Sequence, residues 1–187
     1  KYLLNEKHTL DLYLNVHLQE LKLIEDLFKV KIENDKYSDS LLSNNIIKQD
    51  QLNELEIFEN YIIIAPGGSK ENTSGRGMVT KKWPLEYYTE LIEELLKNDK
   101  SIVLIFGPDD KHEYKYFRNL EKIENVKIVF MAPIDIVIEI IRKTSCFIGN
   151  DSGLFHIADL FNKPHYVFFG PSNYRNYGPI SESGILF

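Results

Sequence analysis

Short apolar runs alternate with amphipathic stretches along the chain from about residue 60 onward. Turn-forming residues bound each run, and apolar positions at helical spacing follow it. Alternation of this kind favours a parallel sheet covered on both faces, because each connection must cross back over the sheet. The chain is therefore predicted to be an α/β protein with a Rossmann-like parallel sheet. The predicted strands are Tyr61–Ala65, Ser101–Phe106, Val126–Phe130, Cys146–Gly149 and His165–Phe169, and the predicted helices are 85–98, 111–120, 134–143 and 153–161.

The region before this sheet has a different texture. Residues 8–30 carry apolar positions at helical spacing, which predicts an amphipathic helix. Residues 33–50 are rich in Asn, Asp and Ser and are predicted to be a linker, and 49–59 is predicted to add a short helix. We therefore predict two parts, with residues 1–58 forming a helical segment and residues 59–187 forming the sheet domain.

Composition excludes several classes of protein. The net charge of −6 argues against a broad nucleic-acid footprint. A single cysteine, Cys146, leaves no disulfide framework or cysteine-type zinc site and suits a reducing compartment. The chain has no apolar run of about 18 residues or more, so we expect neither a transmembrane helix nor a signal peptide.

Every predicted strand is followed by Gly or Pro at its carboxyl end. In a parallel sheet these ends lie along one edge, and ligands bind in the crevice outside it. We therefore expect a binding crevice there. The segments that would form it are Pro66–Gly67–Gly68–Ser69, Gly107–Pro108–Asp109–Asp110, Met131–Ala132–Pro133, 149–153 and Gly170–Pro171–Ser172–Asn173.

The turn at residues 149–156 is the strongest candidate for a binding site. A strand, a tight turn and a helix start follow one another, so free backbone N–H groups and the helix dipole favour a phosphate there. Asp151 and Ser152 suit an N-cap, and His156 lies on the same helix face, four residues after Ser152. The alternative is a βα turn with no ligand. A hydrolase nucleophile is disfavoured because Asn150 replaces the first Gly of Gly-x-Ser-x-Gly.

The loop after the first strand is locally positive within an acidic chain. It holds Lys70, Arg76, Lys81 and Lys82 against one acid, Glu71, which indicates either an anionic ligand or a solvated basic loop. Lys81 and Lys82 are favoured as ligand contacts because Trp83–Pro84 fixes them at a helix start, with Pro84 as its first residue. Trp83 itself is interpreted as a packing anchor.

Glu113 follows the second predicted strand. A carboxylate in this place accepts hydrogen bonds from a ribose in many α/β sheets, although a first-turn acid also simply stabilises a helix. The chain lacks the Gly-rich fingerprints of dinucleotide oxidoreductases and P-loop NTPases, and it lacks an Asp-x-Asp pair. We therefore expect no metal, with helix N-termini, lysine and histidine neutralising a bound diphosphate.

Taken in order, the motifs of the sheet domain resemble glycosyltransferase family 9, the ADP-heptose:lipopolysaccharide heptosyltransferases and their relatives. The resemblance covers about residues 60–180 and rests on Pro66–Gly67–Gly68, Lys81–Lys82–Trp83–Pro84, Phe106–Gly107 with Glu113, 149–153 with His156, and Phe169–Gly170–Pro171. It implies the C-terminal, donor-binding half of a GT-B transferase. The donor diphosphate would lie on Lys81, Asp151, Ser152, Gly153 and His156, the ribose on Glu113, and the adenine near Met131 and Ala132. Asp151 would repel a phosphate directly, so it is better placed to anchor the loop.

The resemblance also implies a reaction. It is the inverting, metal-independent transfer of a heptose or related sugar from a nucleotide-diphosphate donor, such as ADP-heptose, to a lipopolysaccharide core acceptor, without a cofactor. The enzyme would be cytoplasmic, and peripheral contact with the inner membrane is compatible with it. The catalytic base is expected in an N-terminal acceptor domain, of which residues 1–58 would be the tail and linker, so the 187-residue chain alone is expected to be inactive.

One feature of the sequence departs from this resemblance. The loop between Pro-Gly-Gly and Lys-x-Trp-Pro is longer than the resemblance leads us to expect. Two alternatives also stay open, a nucleotide-binding module without turnover and another GT-B-like enzyme such as a nucleotide-sugar epimerase, because a shared fold does not decide between functions.

Overall fold

The computed structural model describes residues 55–68 and 82–187. Six strands in this part of the chain form one parallel sheet in the order β3-β2-β1-β4-β5-β6. The strands are β1 (Ile62–Ala65), β2 (Ile102–Phe106), β3 (Val126–Phe130), β4 (Cys146–Asn150), β5 (His165–Phe168) and β6 (Gly184–Leu186).

Helices connect consecutive strands. They are α1 (Leu85–Lys97), α2 (Lys111–Phe117), α3 (Ile134–Lys143), α4 (Gly153–Leu160) and α5 (Tyr174–Tyr177), and a 3-10 segment, Arg118–Lys122, follows α2. None of the helices in the described ranges has the length and apolar character needed to cross a bilayer.

The strand order reverses at β1. The chain builds outward from β1 through β2 to β3, then returns and places β4 on the other side of β1. In a sheet of this kind the crevice outside the carboxyl ends of β1 and β4 is the usual ligand position, because the adjoining loops leave the sheet in opposite directions. The fold therefore brings Pro66–Gly68 and the turn after Asn150 to the same place.

Both faces of the sheet are buried, as the sequence predicted. Neighbouring residues of β1 point to opposite sides, so that Ile63 packs with Ile140 of α3 and Phe155 of α4, whereas Ile64 packs with Tyr88 and Ile92 of α1. All six side chains are 1% exposed or less. The helices therefore hold the sheet rigidly behind the crevice.

The predicted α/β class and the five predicted strands are confirmed, with small differences in their ends. β4 extends to Asn150, one residue beyond the prediction, and α1 begins at Leu85, so Pro84 occupies the N-cap and not the first helical position. The predicted helix 111–120 divides into α2 and the 3-10 segment. α5 and β6 were not predicted.

Predictions for the first part of the chain are tested only in part. Residues 55–59 form a turn and irregular backbone, so the short helix predicted over 49–59 is wrong for this stretch. The amphipathic helix at 8–30 and the linker at 33–50 lie outside the described residues. The proposed boundary at residue 58 therefore stays a prediction.

Candidate active site at the carboxyl ends of β1 and β4

The turn after β4 leads directly into α4. Ser152 occupies the N-cap with extended backbone, φ −149° and ψ 167°, and α4 begins at Gly153. Ser152 is the N-cap residue, as the sequence predicted, but its side chain makes no cap hydrogen bond. First-turn N–H groups of a helix lack intrahelical partners, so a ligand at this end of α4 is able to accept from them.

Ser152 leaves a polar atom without a partner at this position. Its Oγ is buried and has no hydrogen-bond partner within the part of the chain that the structure describes. A Cβ built on the neighbouring Gly153 would meet no described atom within 4 Å. A buried hydroxyl beside open space is the arrangement expected where an acceptor oxygen of a ligand completes the hydrogen bonding.

The turn after β1 packs closely against the turn after β4. Gly68 has a φ of +105°, and a Cβ at this position would lie 2.8 Å from the Cβ of Ser152. A side chain here would therefore be strained by the backbone and would also collide with Ser152. Glycine thus allows the two turns to approach from opposite sides of the switch point.

Asp110 fixes the turns after β1 and β2 together. Its Oδ1 accepts from the Gly68 N–H at 2.9 Å and its Oδ2 accepts from the Gly107 N–H at 2.8 Å. A Cβ on Gly67 would lie 2.2 Å from Cγ of Asp110, so this position has no room for a side chain. Hydrogen bonds from N–H groups to a carboxylate are among the stronger ones, and this pair defines the shape of the β1 turn.

Glu113 lies in the first turn of α2 and forms an ion pair. Its Oε1 is 2.7 Å from Nζ of Lys82, and the Glu113 side chain is 7% exposed, against 19% for Lys82. The contact joins the residue before Trp83 to the segment after β2. Its assignment to a ribose stays a prediction, and a ribose hydroxyl would share this carboxylate with Lys82.

Asn150 connects the crevice segments through four hydrogen bonds. Its Oδ1 accepts from the Trp83 N–H and from the Tyr88 hydroxyl, each at 2.9 Å. Its Nδ2 donates to the carbonyl oxygens of Pro66 at 2.8 Å and Gly67 at 3.1 Å. Burial raises the pKa of Tyr88, so its hydroxyl keeps the proton that it donates.

Trp83 packs as the sequence predicted. Its ring stacks on Phe168 at the end of β5, with 4.0 Å between ring centroids, and meets Tyr88 edge-on at 4.8 Å. The segment before α1 is thereby held against the sheet by both its side chain and its backbone.

The remaining predicted residues lie along the same edge of the sheet. His156 lies in the first turn of α4 beside the ring of Phe155. Met131, directly after β3, is 53% exposed with a φ of +56°, and Ala132 packs on the core cluster beside it. Asp151 directly precedes Ser152, and its N–H donates to the Phe168 carbonyl at 3.2 Å. Lys81 lies outside the described residues, as do Lys70 and Arg76.

Sequence reasoning missed the parts played by Asn150 and Asp110. From the sequence, Asn150 is only a member of the 149–153 turn and the residue that breaks a nucleophile motif, and Asp110 is only a turn residue. The side-chain amide of an Asn at the end of a buried strand needs partners for its four hydrogen-bonding positions. This need was the one indication in the sequence that Asn150 contacts other segments.

The described ranges contain no group of three or more His, Cys, Asp and Glu side chains able to hold a metal ion. The chemistry of the crevice is instead that of backbone N–H groups, a hydroxyl, lysine and histidine. Such groups suit an anionic ligand.

A family model decides the family of the chain. The model of glycosyltransferase family 9 (heptosyltransferase) matches residues 4–187. The chain belongs to glycosyltransferase family 9. Its alternating strands, Lys-x-Trp-Pro segment and Asp-Ser-Gly turn are thus those of a family member, as the sequence suggested.

Individual relatives are distant. Lipooligosaccharide heptosyltransferase 2 of Haemophilus influenzae is 24% identical over 110 residues, which are 57% of this chain and 32% of that protein. Lipopolysaccharide heptosyltransferase 2 of Escherichia coli is 28% identical over 107 residues, 54% of this chain and 30% of that protein. The chain therefore matches about a third of the length of these relatives.

The fold is similar to that of a solved heptosyltransferase. The Escherichia coli heptosyltransferase WaaC, whose structure was determined with ADP, superposes with a TM-score of 0.70 and 18% sequence identity. The alignment covers 97% of this chain and 52% of WaaC.

Proposed function

We propose that this chain is the donor-binding part of a heptosyltransferase. The complete reaction would transfer a heptose or related sugar from a nucleotide-diphosphate donor to a lipopolysaccharide core acceptor. The observation that carries the proposal lies at the start of α4. The Ser152 Oγ is buried without a hydrogen-bond partner among the described residues, and a Cβ on the adjacent Gly153 would meet none of their atoms within 4 Å. Family membership and the names of the relatives support the sugar and the acceptor.

The order of the strands supports one direction for the bound nucleotide. Along the carboxyl edge the sequence of segments is β4 with Ser152, β1 with Gly68, β2 followed by Glu113, and β3 followed by Met131. Strands lie about 4.8 Å apart, so this edge extends about 14 Å from β4 to β3. A diphosphate on α4, a ribose at Glu113 and an adenine near Met131 and Ala132 would follow this order.

The proposed chemistry is displacement at the anomeric carbon with inversion. The acceptor oxygen forms the new bond, the bond from the sugar to the diphosphate breaks, and the electron pair leaves with the nucleoside diphosphate. Backbone N–H groups at Ser152 and Gly153, together with Lys81 and His156, would stabilise the developing negative charge. A general base outside the described crevice would remove the acceptor's proton.

We also propose that the donor binds without a metal ion, because the N–H groups at the α4 start, Lys81 and His156 would already stabilise the charge of a diphosphate. We expect the ADP affinity measured by calorimetry to be the same with and without EDTA. A large loss of affinity in EDTA that added magnesium restores would contradict it.

Substitution at two positions tests the phosphate site. Ser152→Ala and Lys81→Ala should each lower ADP affinity by about ten-fold or more, because a hydrogen bond to a charged group contributes about 1.5–3 kcal/mol. Ser152→Ala should leave the Tm of the ligand-free protein unchanged, since its Oγ has no partner in the described protein. Calorimetry and thermal unfolding give the two readouts.

Unchanged ADP affinity in both variants would show that the diphosphate does not bind here. Parallel titrations with UDP and CMP identify the nucleotide and distinguish the alternatives. A preference for UDP would favour an enzyme acting on another nucleotide sugar, such as an epimerase on the same fold.

A further inference from the structure

The side chain of Asn150 makes contacts unlike those of any other described residue at this edge. It reaches both carbonyl groups of the β1 turn, at Pro66 and Gly67, and also the backbone and side chain of the α1 start, at Trp83 and Tyr88. These partners are 62 to 84 residues away in the chain. A single side chain thus joins three segments that the sheet alone brings only near one another.

We propose that Asn150 is a positioning residue for the donor diphosphate. Its hydrogen bonds fix the distances between the α4 start, the β1 turn and the segment Lys82–Trp83 that precedes α1. The inference rests on the proposed function for its ligand, and on the four hydrogen bonds for its geometry.

The chemistry of the amide explains why asparagine suits this position. Two acceptor contacts on Oδ1 and two donor contacts from Nδ2 use all four of its hydrogen-bonding positions. Aspartate retains the acceptor side but places an oxygen against two carbonyl oxygens. Serine is too short to reach both sides. Asn150 is 1% exposed, so water does not replace the lost partners.

The position of Asn150 in the chain connects these contacts to the ligand groups. Asp151 and Ser152 follow it directly, and Lys81 and Lys82 directly precede Trp83, whose N–H it binds. Displacing either side of the amide therefore moves the α4 start relative to Trp83 and to Lys82 beside it. Hydrogen-bond strength to a phosphate depends steeply on such separations, which explains how a residue without ligand contact would control affinity.

Thr144 provides a matched control for stability. It lies just before β4, at the opposite end of the strand from Asn150, and is 2% exposed. Its Oγ1 lies 3.0 Å from the carbonyl oxygen of Tyr61 and 2.8 Å from that of Cys146, and its single proton is shared between these two acceptors. Thr144→Val removes buried hydrogen bonds of the same strand at the edge remote from the crevice.

The experiment compares Asn150→Asp, Asn150→Ser and Thr144→Val by thermal unfolding and by ADP calorimetry. We expect all three to lower the Tm. We expect ADP affinity to fall about ten-fold or more in the Asn150 variants and to stay within about two-fold in Thr144→Val. Asn150→Ser keeps the comparison available if the buried carboxylate of Asn150→Asp prevents folding.

A double-mutant cycle with Lys81→Ala separates positioning from loss of stability. If Asn150 positions the segment before α1, substituting Asn150 should lower ADP affinity clearly less in the Lys81→Ala background than in the unmodified protein. Additive losses, or losses that follow the Tm across all three variants, would overturn the proposal.

Hydrogen exchange tests the same geometry without a ligand. The Trp83 amide should exchange faster in Asn150→Ser than in the unmodified protein and should be unchanged in Thr144→Val. Failure of the unmodified protein to bind ADP, together with this exchange result, would refute the proposed function and leave the connecting role of Asn150 intact. Unchanged exchange at Trp83 would refute the connecting role itself.

Discussion

At Gly153, the proposed ligand site and the stability of the folded chain favour different side chains. It is the first residue of α4, where a Cβ would meet no described atom within 4 Å. Glycine in a helix costs about 0.5–1 kcal/mol relative to alanine because it loses more backbone freedom on folding. The described residues therefore give no steric reason for glycine at this position, whereas a ligand lying against the helix start would give one.

We accordingly predict opposite effects for Gly153→Ala. The free energy of unfolding should stay the same or rise by up to about 1 kcal/mol. ADP affinity should fall, because the new methyl group would occupy the space next to the Ser152 Oγ. Chemical denaturation and calorimetry measure the two effects. Gly68→Ala serves as the comparison and should reduce both quantities, since φ there is +105° and the Cβ would approach Ser152 to 2.8 Å. Unaltered ADP affinity in Gly153→Ala would place the ligand elsewhere.

Residues of the crevice differ in how far the sequence predicted them. Ser152 and Gly153 follow closely on β4, and Glu113 lies in the first turn of the helix after β2, so local pattern and turn chemistry were enough to select them. Asn150 and Asp110 act through partners 84 and 42 residues away, and nothing local reports which segments will meet. The pairing of Lys82 with Glu113, 31 residues apart, was unpredictable for the same reason.

At the scale of elements, hydrophobic periodicity predicted the sheet because its strands are buried on both faces and read as continuous apolar runs. β6 and α5 escaped this reasoning. β6 has three residues and α5 has four, too few for either period to be recognised. Contacts with β5 and α4 determine this last segment. The Asp159 carboxylate accepts from the N–H groups of Ile180 at 2.7 Å and Ser181 at 3.0 Å.

We predict that β6 depends on the glycine at its start. A Cβ at Gly184 would lie 2.4 Å from Nε2 of the fully buried His165 and 2.7 Å from Cγ of Pro179. Gly184→Ala must therefore displace the strand, and overpacking of this kind costs about 1–3 kcal/mol. Urea unfolding would measure the loss. Ser183→Ala, one residue earlier, removes only an exposed hydrogen bond to Asn162 and should change stability by less than about 0.5 kcal/mol. Equal stability of both variants would show that β6 does not pack on His165 as described.

On the scale of the whole molecule, three acids beside the described crevice have interaction partners within the chain. Asp110 accepts from two backbone N–H groups, Glu113 pairs with Lys82, and Asp151 is also engaged. A general base needs a free lone pair aimed at the acceptor's proton. Asp110 and Glu113 are already committed to contacts that hold the crevice segments together, so we expect the base to be another residue. The alignment covers 52% of WaaC, so that protein contains residues without a counterpart in this chain.

The last prediction is that the 187-residue chain binds the donor nucleotide without appreciable sugar transfer. Holding an acceptor and a base opposite the anomeric carbon contributes about 7–11 kcal/mol in favourable cases. Without that positioning, sugar transfer should be slower by about five factors of ten or more. The measurement is release of ADP from ADP-heptose in the presence of a lipopolysaccharide core acceptor, with the Escherichia coli heptosyltransferase assayed alongside. ADP calorimetry on the same preparation shows that its donor site is intact, so that absent turnover is not mistaken for misfolding. If the chain instead turns over at a rate comparable with that enzyme, the base lies within its 187 residues. Asp110→Asn, Glu113→Gln and Asp151→Asn would then show whether one of the described acids at the crevice is the base, because loss of the base would lower turnover while leaving ADP affinity in place.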